Sequence, residues 1–468
     1  MLCNVLNSSF FIFFAIFLTI VFFNIFLNVN SVSFNIKLNM IMCLLLLIYV
    51  FIFILYNFYT IYNFILFRPH VLLYNINYFY YFPFLFIFII ITIISVLFCL
   101  NYNLSELGLF LIYVSFIIFS GFNLLITNSM VIFFLFYEFL LIPSFFILYI
   151  FSKTRRSVEA SYLMFFWTQF GALWLLLGLI YIYKITNSLQ FSIITLVNFS
   201  TTDSYVIFFC LLFGFGVKLP IWPFYEWLPK AHVEASTNFS IFLSGVLVKF
   251  AFFGFFKFLC LLNLDINFFI IFPYLFFGLI ESVFKMFYQV DIKKLIAYST
   301  VVEMHWLLVC LLSGNNVLLL SAFGMYISHA ILSTNSFLLV DSITRRFKTR
   351  LIFELSGLNY LCPKLFLFAL INLIVFLGFP GSLFFISEFL FFSFLFDLFP
   401  FFSFLLFIFI YFILANIFIK IWLNVLFSSI PAGLVQICVD LDKIELLVFS
   451  FLIGLIFWLG SSWLTLII

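Results

Sequence analysis

About fourteen apolar runs, each near the ~20 residues a helix needs to cross a hydrocarbon core, follow one another with only short polar gaps between them. They occupy roughly 9–28, 39–64, 79–100, 106–127, 129–151, 158–183, 204–222, 238–262, 266–288, 294–313, 316–342, 364–395, 399–427 and 444–466. In lipid every backbone N–H and C=O must be satisfied, and a helix does so within its own segment. The chain therefore reads as an all-α polytopic membrane protein. Its gaps leave no room for an extramembrane domain, so residues 1–468 form one integral membrane domain. With 67% hydrophobic and 8% charged residues there is no polar surface for a soluble fold.

Several of these runs carry charges that a bilayer makes expensive. Lys218 stands near the end of the seventh run, and Lys249 near the middle of the eighth. An ammonium at such depth costs ~2.5–3.5 kcal/mol on insertion scales. Lys218, followed by Pro220 and Pro223, can be read as a lysine that snorkels to the interface or as a retained charge. Lys249 has ~15 Å of helix on either side, too far to snorkel. Glu138 in the fifth run, Glu281 and Lys285 in the ninth, Glu303 and His305 in the tenth, His329 in the eleventh and Glu388 in the twelfth extend the series. Glu281 and Lys285, at i and i+4, satisfy each other on one helix and read as a structural pair. His305 reads as a packing or interfacial histidine. Glu138, Lys218, Lys249 and Glu388 read as members of a proton or ion path.

Lysine suits such a path because burial lowers its pKa and a nearby carboxylate raises it again. An ion pair at ~4 Å in an effective dielectric of ~20 is worth ~4 kcal/mol. Moving one charge across 100 mV takes ~2.3 kcal/mol. Making and breaking one pair is therefore enough to drive a proton step.

The eight cysteines, Cys3, Cys43, Cys99, Cys210, Cys260, Cys310, Cys362 and Cys438, form no C-x-x-C pair, and His70, His232, His305 and His329 show no spacing of paired haem ligands. No redox centre is expected in this chain. No Arg-rich presequence precedes the first run, so Met1 is expected to begin the mature chain. The 83 Phe suggest an AT-rich, organellar coding sequence.

Numbering the runs places Lys37, Lys153, Arg155, Arg156, Lys230, Lys293, Lys294, Arg345, Arg346, Lys348, Arg350 and Lys443 on one side, against Arg68, Lys184 and Lys257 on the other. By the positive-inside rule the first is the matrix or cytoplasmic side, and both termini face outward. Helix breakers lie beside ionisable groups in the seventh run (Lys218, Pro220) and the twelfth (Gly378-Phe379-Pro380-Gly381, then Glu388). Their separation by five runs suggests a repeat covering runs 4–8 and 9–13.

The segments Tyr137-Glu138-Phe139-Leu140-Leu141-Ile142-Pro143, Val217-Lys218-Leu219-Pro220, Trp227 to Ala235 (WLPKAHVEA), Leu247-Val248-Lys249, Asp291 to Ser299 (DIKKLIAYS), Ser328-His329 and Gly378 to Glu388 closely resemble the subunit 4 type of NADH dehydrogenase, an antiporter-like membrane subunit of respiratory complex I. The likeness runs in order from about residue 130 to 390. An acid at Glu388, where the sibling subunits of complex I usually have a lysine, favours this type over the subunit 2 and subunit 5 types. The resemblance implies fourteen helices in two inverted five-helix repeats (106–262 and 263–427), with N-terminal helices over 1–105 and a C-terminal helix over 428–468. It implies a proton path through Glu138, Lys218, Lys249, His329 and Glu388, in which Glu138 and Lys218 are a movable pair that tunes Lys249. It also implies NADH, FMN, iron–sulfur clusters and ubiquinone in partner subunits, sibling antiporter-like neighbours, the lipid bilayer, no nucleic acid, and the mitochondrial inner membrane.

Two residues depart from that type. Glu303 stands where the family often has a histidine, and it can still relay a proton with the opposite resting charge. Ser236 stands where a proline usually follows HVEA. A cation/proton antiporter driven by an ion gradient, and a purely structural subunit held together by its buried charges, are the rival readings.

Overall fold

The computed structural model describes residues 72–98, 104–151, 154–262, 264, 271–313, 315–398, 400–408, 415–428 and 440–467. The expected spans at roughly 9–28 and 39–64 lie outside them, as do Lys37, Arg68, His70, Lys153 and Asp265. The described chain is nearly all helix. Seven of its helices are long and apolar enough to cross a membrane, and three shorter apolar helices lie at Pro83–Val96, Thr201–Gly216 and Pro363–Phe376. The protein is thus a multi-pass membrane protein.

The chain divides into two compact units. The first comprises Met1–Lys218, Glu234–Phe242 and Val246–Ile266. Its helices are α1 (Leu72–Phe98), α2 (Leu104–Ile126), α3 (Met130–Phe139), α4 (Leu141–Phe151), α5 (Arg155–Thr186), α6 (Thr201–Gly216), α8 (Thr237–Phe242) and α9 (Val248–Leu261), while α7 (Trp227–Glu234) belongs to the second unit except for its last residue. The core of this unit is aromatic. Phe133, Phe215, Phe253, Phe255 and Phe258 are fully buried, and Phe133 and Phe258 meet edge to face with ring centres 5.4 Å apart.

Small residues let α5 and α6 lie close. A Cβ built on Gly214 would sit 2.8 Å from Leu175 Cβ and 3.0 Å from Leu175 Cα, while one on Gly178 would sit 2.9 Å from Cys210 Cβ. Backbone atoms cannot step aside, so Gly214→Val is expected to push the helices apart at a cost of ~1–3 kcal/mol. The thermal midpoint of the assembled protein measures this, and an unchanged midpoint would contradict the packing.

The second unit comprises Leu219–Val233, Leu243–Gly245 and Asn267–Ile468. It holds α10 (Phe272–Phe287), α11 (Ile292–Leu312), α12 (Asn316–Phe347), α13 (Pro363–Phe376), α14 (Leu383–Leu398), α15 (Pro400–Ile408), α16 (Ala415–Phe427) and α17 (Lys443–Ile467). Helix α11 is buried along its whole length. Its start is capped by Asp291, whose Oδ1 accepts from Lys293 N at 2.9 Å. The ends of α12 and α17 are joined by charge: Glu445 accepts from Arg345 at 2.7 Å and from Arg346 at 2.8 Å.

The twelfth apolar run is two helices, α13 and α14, parted over residues 377–382. Gly378 (φ 74°) and Gly381 (φ 93°) supply the left-handed backbone of the turn. The break expected at Gly378-Phe379-Pro380-Gly381 is present. Two charges counted with the loops are instead buried in helices: Lys257 in α9 and Lys293 at the start of α11. Hydropathy windows miss them because a single lysine barely lowers the mean of a phenylalanine-rich segment.

Candidate functional site: two titratable pairs among apolar helices

The first pair forms where two helices stop. In the fifth run α3 ends at Phe139, one turn ahead of Pro143, which has no N–H to bond the Phe139 carbonyl and whose ring crowds it. In the seventh run α6 ends at Gly216, the residue whose carbonyl Pro220 would otherwise have to bond. Lys218 therefore lies on the turn that follows α6, not within the helix. The expected span of 204–222 is helical only to Gly216.

From that turn Lys218 Nζ donates to Glu138 Oε1 at 3.2 Å and to the Tyr137 carbonyl at 3.1 Å. It also lies 3.5 Å from the centre of the Tyr137 ring. The other carboxylate oxygen, Glu138 Oε2, accepts from Gln169 Nε2 on α5 at 3.1 Å. Side-chain exposure is 12% for Lys218 and 19% for Glu138, so the pair is largely withdrawn from solvent. This geometry decides against snorkelling: the ammonium is turned to Glu138 and Tyr137.

Lys249 is 2% exposed and lies in the second position of α9. Just before it the helix widens into a π segment at Leu243–Leu247. Such bulges relax the local backbone ladder and often mark functional sites. Eight residues on, Lys257 donates to the Thr127 carbonyl at 2.5 Å, with the rings of Phe191, Phe133 and Phe253 at 4.8, 5.7 and 5.7 Å. Sequence reasoning counted this cation only among the charges of one membrane side and passed over Gln169. A buried lysine in the last turns of an apolar helix was the available signal for the first; a lone glutamine gave none.

In the second unit Glu303 Oε2 of α11 and His329 Nε2 of α12 approach to 3.4 Å, with side chains 7% and 1% exposed. Glu303 is thus beside a histidine, in reach of a proton. Glu388 is 5% exposed on α14, just beyond the glycine break. Its neighbour Ser387 reaches Met325 of α12 at 3.6 Å, one turn before His329. The structure brings together Glu138 with Lys218 and Glu303 with His329, while Lys249 and Glu388 are buried on α9 and α14.

The residues assigned structural roles take them, with additions. Lys285 meets Glu281 at 2.9 Å as the i, i+4 spacing predicts, but also Glu226 of the connector at 2.8 Å. The Tyr225 hydroxyl donates to Glu281 at 2.9 Å. His305 is fully buried rather than interfacial, and its Nε2 accepts from Trp222 N at 2.8 Å in the irregular stretch after α6. A Cβ on Gly278 would fall 2.5 Å from that nitrogen, so α10 approaches here only because residue 278 has no side chain. Ser236 replaces the usual proline without losing the turn: its carbonyl accepts from Ser240 N at 2.9 Å and starts α8.

The family described as NADH:quinone oxidoreductase/Mrp antiporter, TM, matches residues 127–414, which include every residue named above as a candidate. The chain belongs to the NADH:quinone oxidoreductase/Mrp antiporter family. Within this family, NADH-ubiquinone oxidoreductase chain 4 of Paramecium tetraurelia is 36% identical over 331 residues, covering 70% of each chain. The fold of the family recurs in two solved structures. A chain of respiratory complex I from Thermus thermophilus with bound NADH superposes with a TM-score of 0.72 at 20% identity, over 81% of this chain and 79% of that one. A chain of the Mrp complex from Dietzia sp. DQ12-45-1b superposes with a TM-score of 0.80 at 15% identity, over 98% and 95%. At those identities the likeness is one of fold.

Proposed function

We propose that this chain is the proton-translocating, antiporter-like subunit 4 of respiratory complex I, in which NADH:ubiquinone electron transfer in other subunits is coupled to proton movement here. The reading rests on the kinship with chain 4 proteins and on one observation: a lysine and a glutamate paired at 3.2 Å inside an apolar bundle, each next to a helix break. With Lys218 on the turn after α6 and Glu138 near the end of α3, small shifts of the turn can make and break the pair, which an intact helix would resist.

Glu138 and Lys218 are the movable pair. Opening it removes a carboxylate from Lys218, changes the field at Lys249, and so makes Lys249 take up or release its proton. Glu303 and His329 relay the proton in the second unit, and Glu388 exchanges it with the outer side. NADH, FMN, iron–sulfur clusters and ubiquinone belong to partner subunits, and sibling antiporter-like subunits are its neighbours. The finer architecture is fourteen spans, with N-terminal helices over 1–105, inverted repeats over 106–262 and 263–427, and a C-terminal helix over 428–468. The location is the mitochondrial inner membrane, with both termini on the intermembrane-space side.

The test is Lys249→Met in the complete complex, reconstituted into vesicles, with NADH oxidation and proton uptake followed together. Proton translocation is expected to fall at least about tenfold, equivalent to ~1.4 kcal/mol on the coupled step. Unchanged translocation and oxidation would remove Lys249 from the path, and translocation that requires sodium would indicate cation/proton exchange instead.

A further inference from the structure

The Glu138–Lys218 pair is held by more than its own attraction. Each partner has a second, neutral contact. Glu138 Oε2 accepts from Gln169 Nε2 at 3.1 Å. Lys218 Nζ donates to the Tyr137 carbonyl at 3.1 Å and lies 3.5 Å from the Tyr137 ring centre. None of these neutral groups changes charge at working pH. Gln169 is half-buried on α5, and the close approach of α5 to α6 through Gly171, Gly178 and Gly214 keeps its amide beside the turn that carries Lys218.

A bare ion pair inside a bundle opens at the full penalty of two uncompensated charges. Here, if Lys218 moves away, Glu138 keeps an amide donor. If Glu138 takes a proton, Lys218 keeps a carbonyl acceptor and an aromatic face, both of which favour a cation. We infer that Gln169 is a positioning residue of the proton-coupling pair, holding the Glu138 carboxylate in place while Lys218 is away, with the Tyr137 carbonyl and ring holding Lys218 in the matching step. The amide is suited to this because it grips a carboxylate without neutralising it, so the field of Glu138 survives the opening. A second ammonium at position 169 would cancel that field, and an aliphatic residue would let the carboxylate turn away.

The inference rests on the proton-path reading above, and a double-mutant cycle separates the two. Gln169→Leu, Glu138→Gln and the double variant are compared in the complete complex for proton translocation per NADH oxidised and for initial rate. Gln169→Leu is expected to lower the translocation rate about tenfold, the order for one hydrogen bond to a charged group. Gln169→Asn, which keeps a neutral amide donor on a side chain one methylene shorter, is expected to restore it in part, to within about threefold. Combined with Glu138→Gln, the change at 169 is expected to add less than about twofold, because its partner is already gone. If Gln169→Leu assembles poorly, Gln169→Met removes the amide with less change of shape. Equal fold losses at position 169 in both backgrounds, or no loss in the parent, would overturn the inference. A Glu138→Gln variant that pumps normally would instead overturn the proton path itself.

Discussion

Replacing Lys218 with methionine is expected to lower coupled proton translocation about a hundredfold, equivalent to ~2.7 kcal/mol on the coupled step. Methionine keeps the length and apolar stem of lysine and removes only the charge. Glu138 then loses the contact at 3.2 Å and keeps only Gln169. Taking one partner from a withdrawn ion pair costs ~3–5 kcal/mol when the other stays ionised. The variant has no ammonium to leave and rejoin the carboxylate, and so has nothing to switch. NADH oxidation in tightly coupled vesicles is expected to slow with translocation, and an uncoupler is not expected to rescue a step that is blocked inside the subunit. Translocation at the parental rate would show that the pair is only a structural contact.

The second large effect concerns assembly. Glu445 is 4% exposed and holds two guanidinium groups, Arg345 at 2.7 Å and Arg346 at 2.8 Å, where α12 ends and α17 begins. Glu445→Leu leaves both arginines without it, although Arg345 retains Asp341 at 2.9 Å and Arg346 retains the Ser342 and Asp440 carbonyls at 2.9 and 3.0 Å. Because those contacts remain, the loss should fall at the lower end of the ~3–5 kcal/mol range. That is still a large part of a marginal folding free energy. The variant subunit is expected to disappear from the mature complex while Glu445→Asp partly persists. The amount of chain in the purified complex measures this, and normal abundance of Glu445→Leu would mean that the arginines are served elsewhere.

Much of the site was legible in the sequence because charge is costly in lipid. Glu138, Lys218, Lys249, Glu303, His329 and Glu388 stand out against apolar neighbours whatever their partners are, and all six are largely buried. The helix breaks were legible for a similar reason. Pro220 and the Gly378–Gly381 stretch act on the backbone within four residues, so no tertiary information is needed to locate them. Pairing was not legible. Glu303 and His329 lie on different helices, and which face each helix turns to the other depends on packing that hydropathy does not record. Gln169 was invisible for the same reason, being one polar residue in a long helix whose partner lies 31 positions away.

By itself the sequence determined that this chain spans a membrane as helices, where two of those helices break, and which charges are too expensive to be accidental. Each of those follows from local chemistry: the transfer cost of a side chain, a missing N–H, a glycine backbone. The tertiary structure alone decided that Lys218 leaves its helix to meet Glu138, that Gln169 and Tyr137 support that pair, that Lys285 binds the connector as well as its own helix, and that His305 caps a free backbone N–H at Trp222. Such contacts join residues many turns apart and are set by how closely the helices approach, which for α5 and α6 is governed by three glycines.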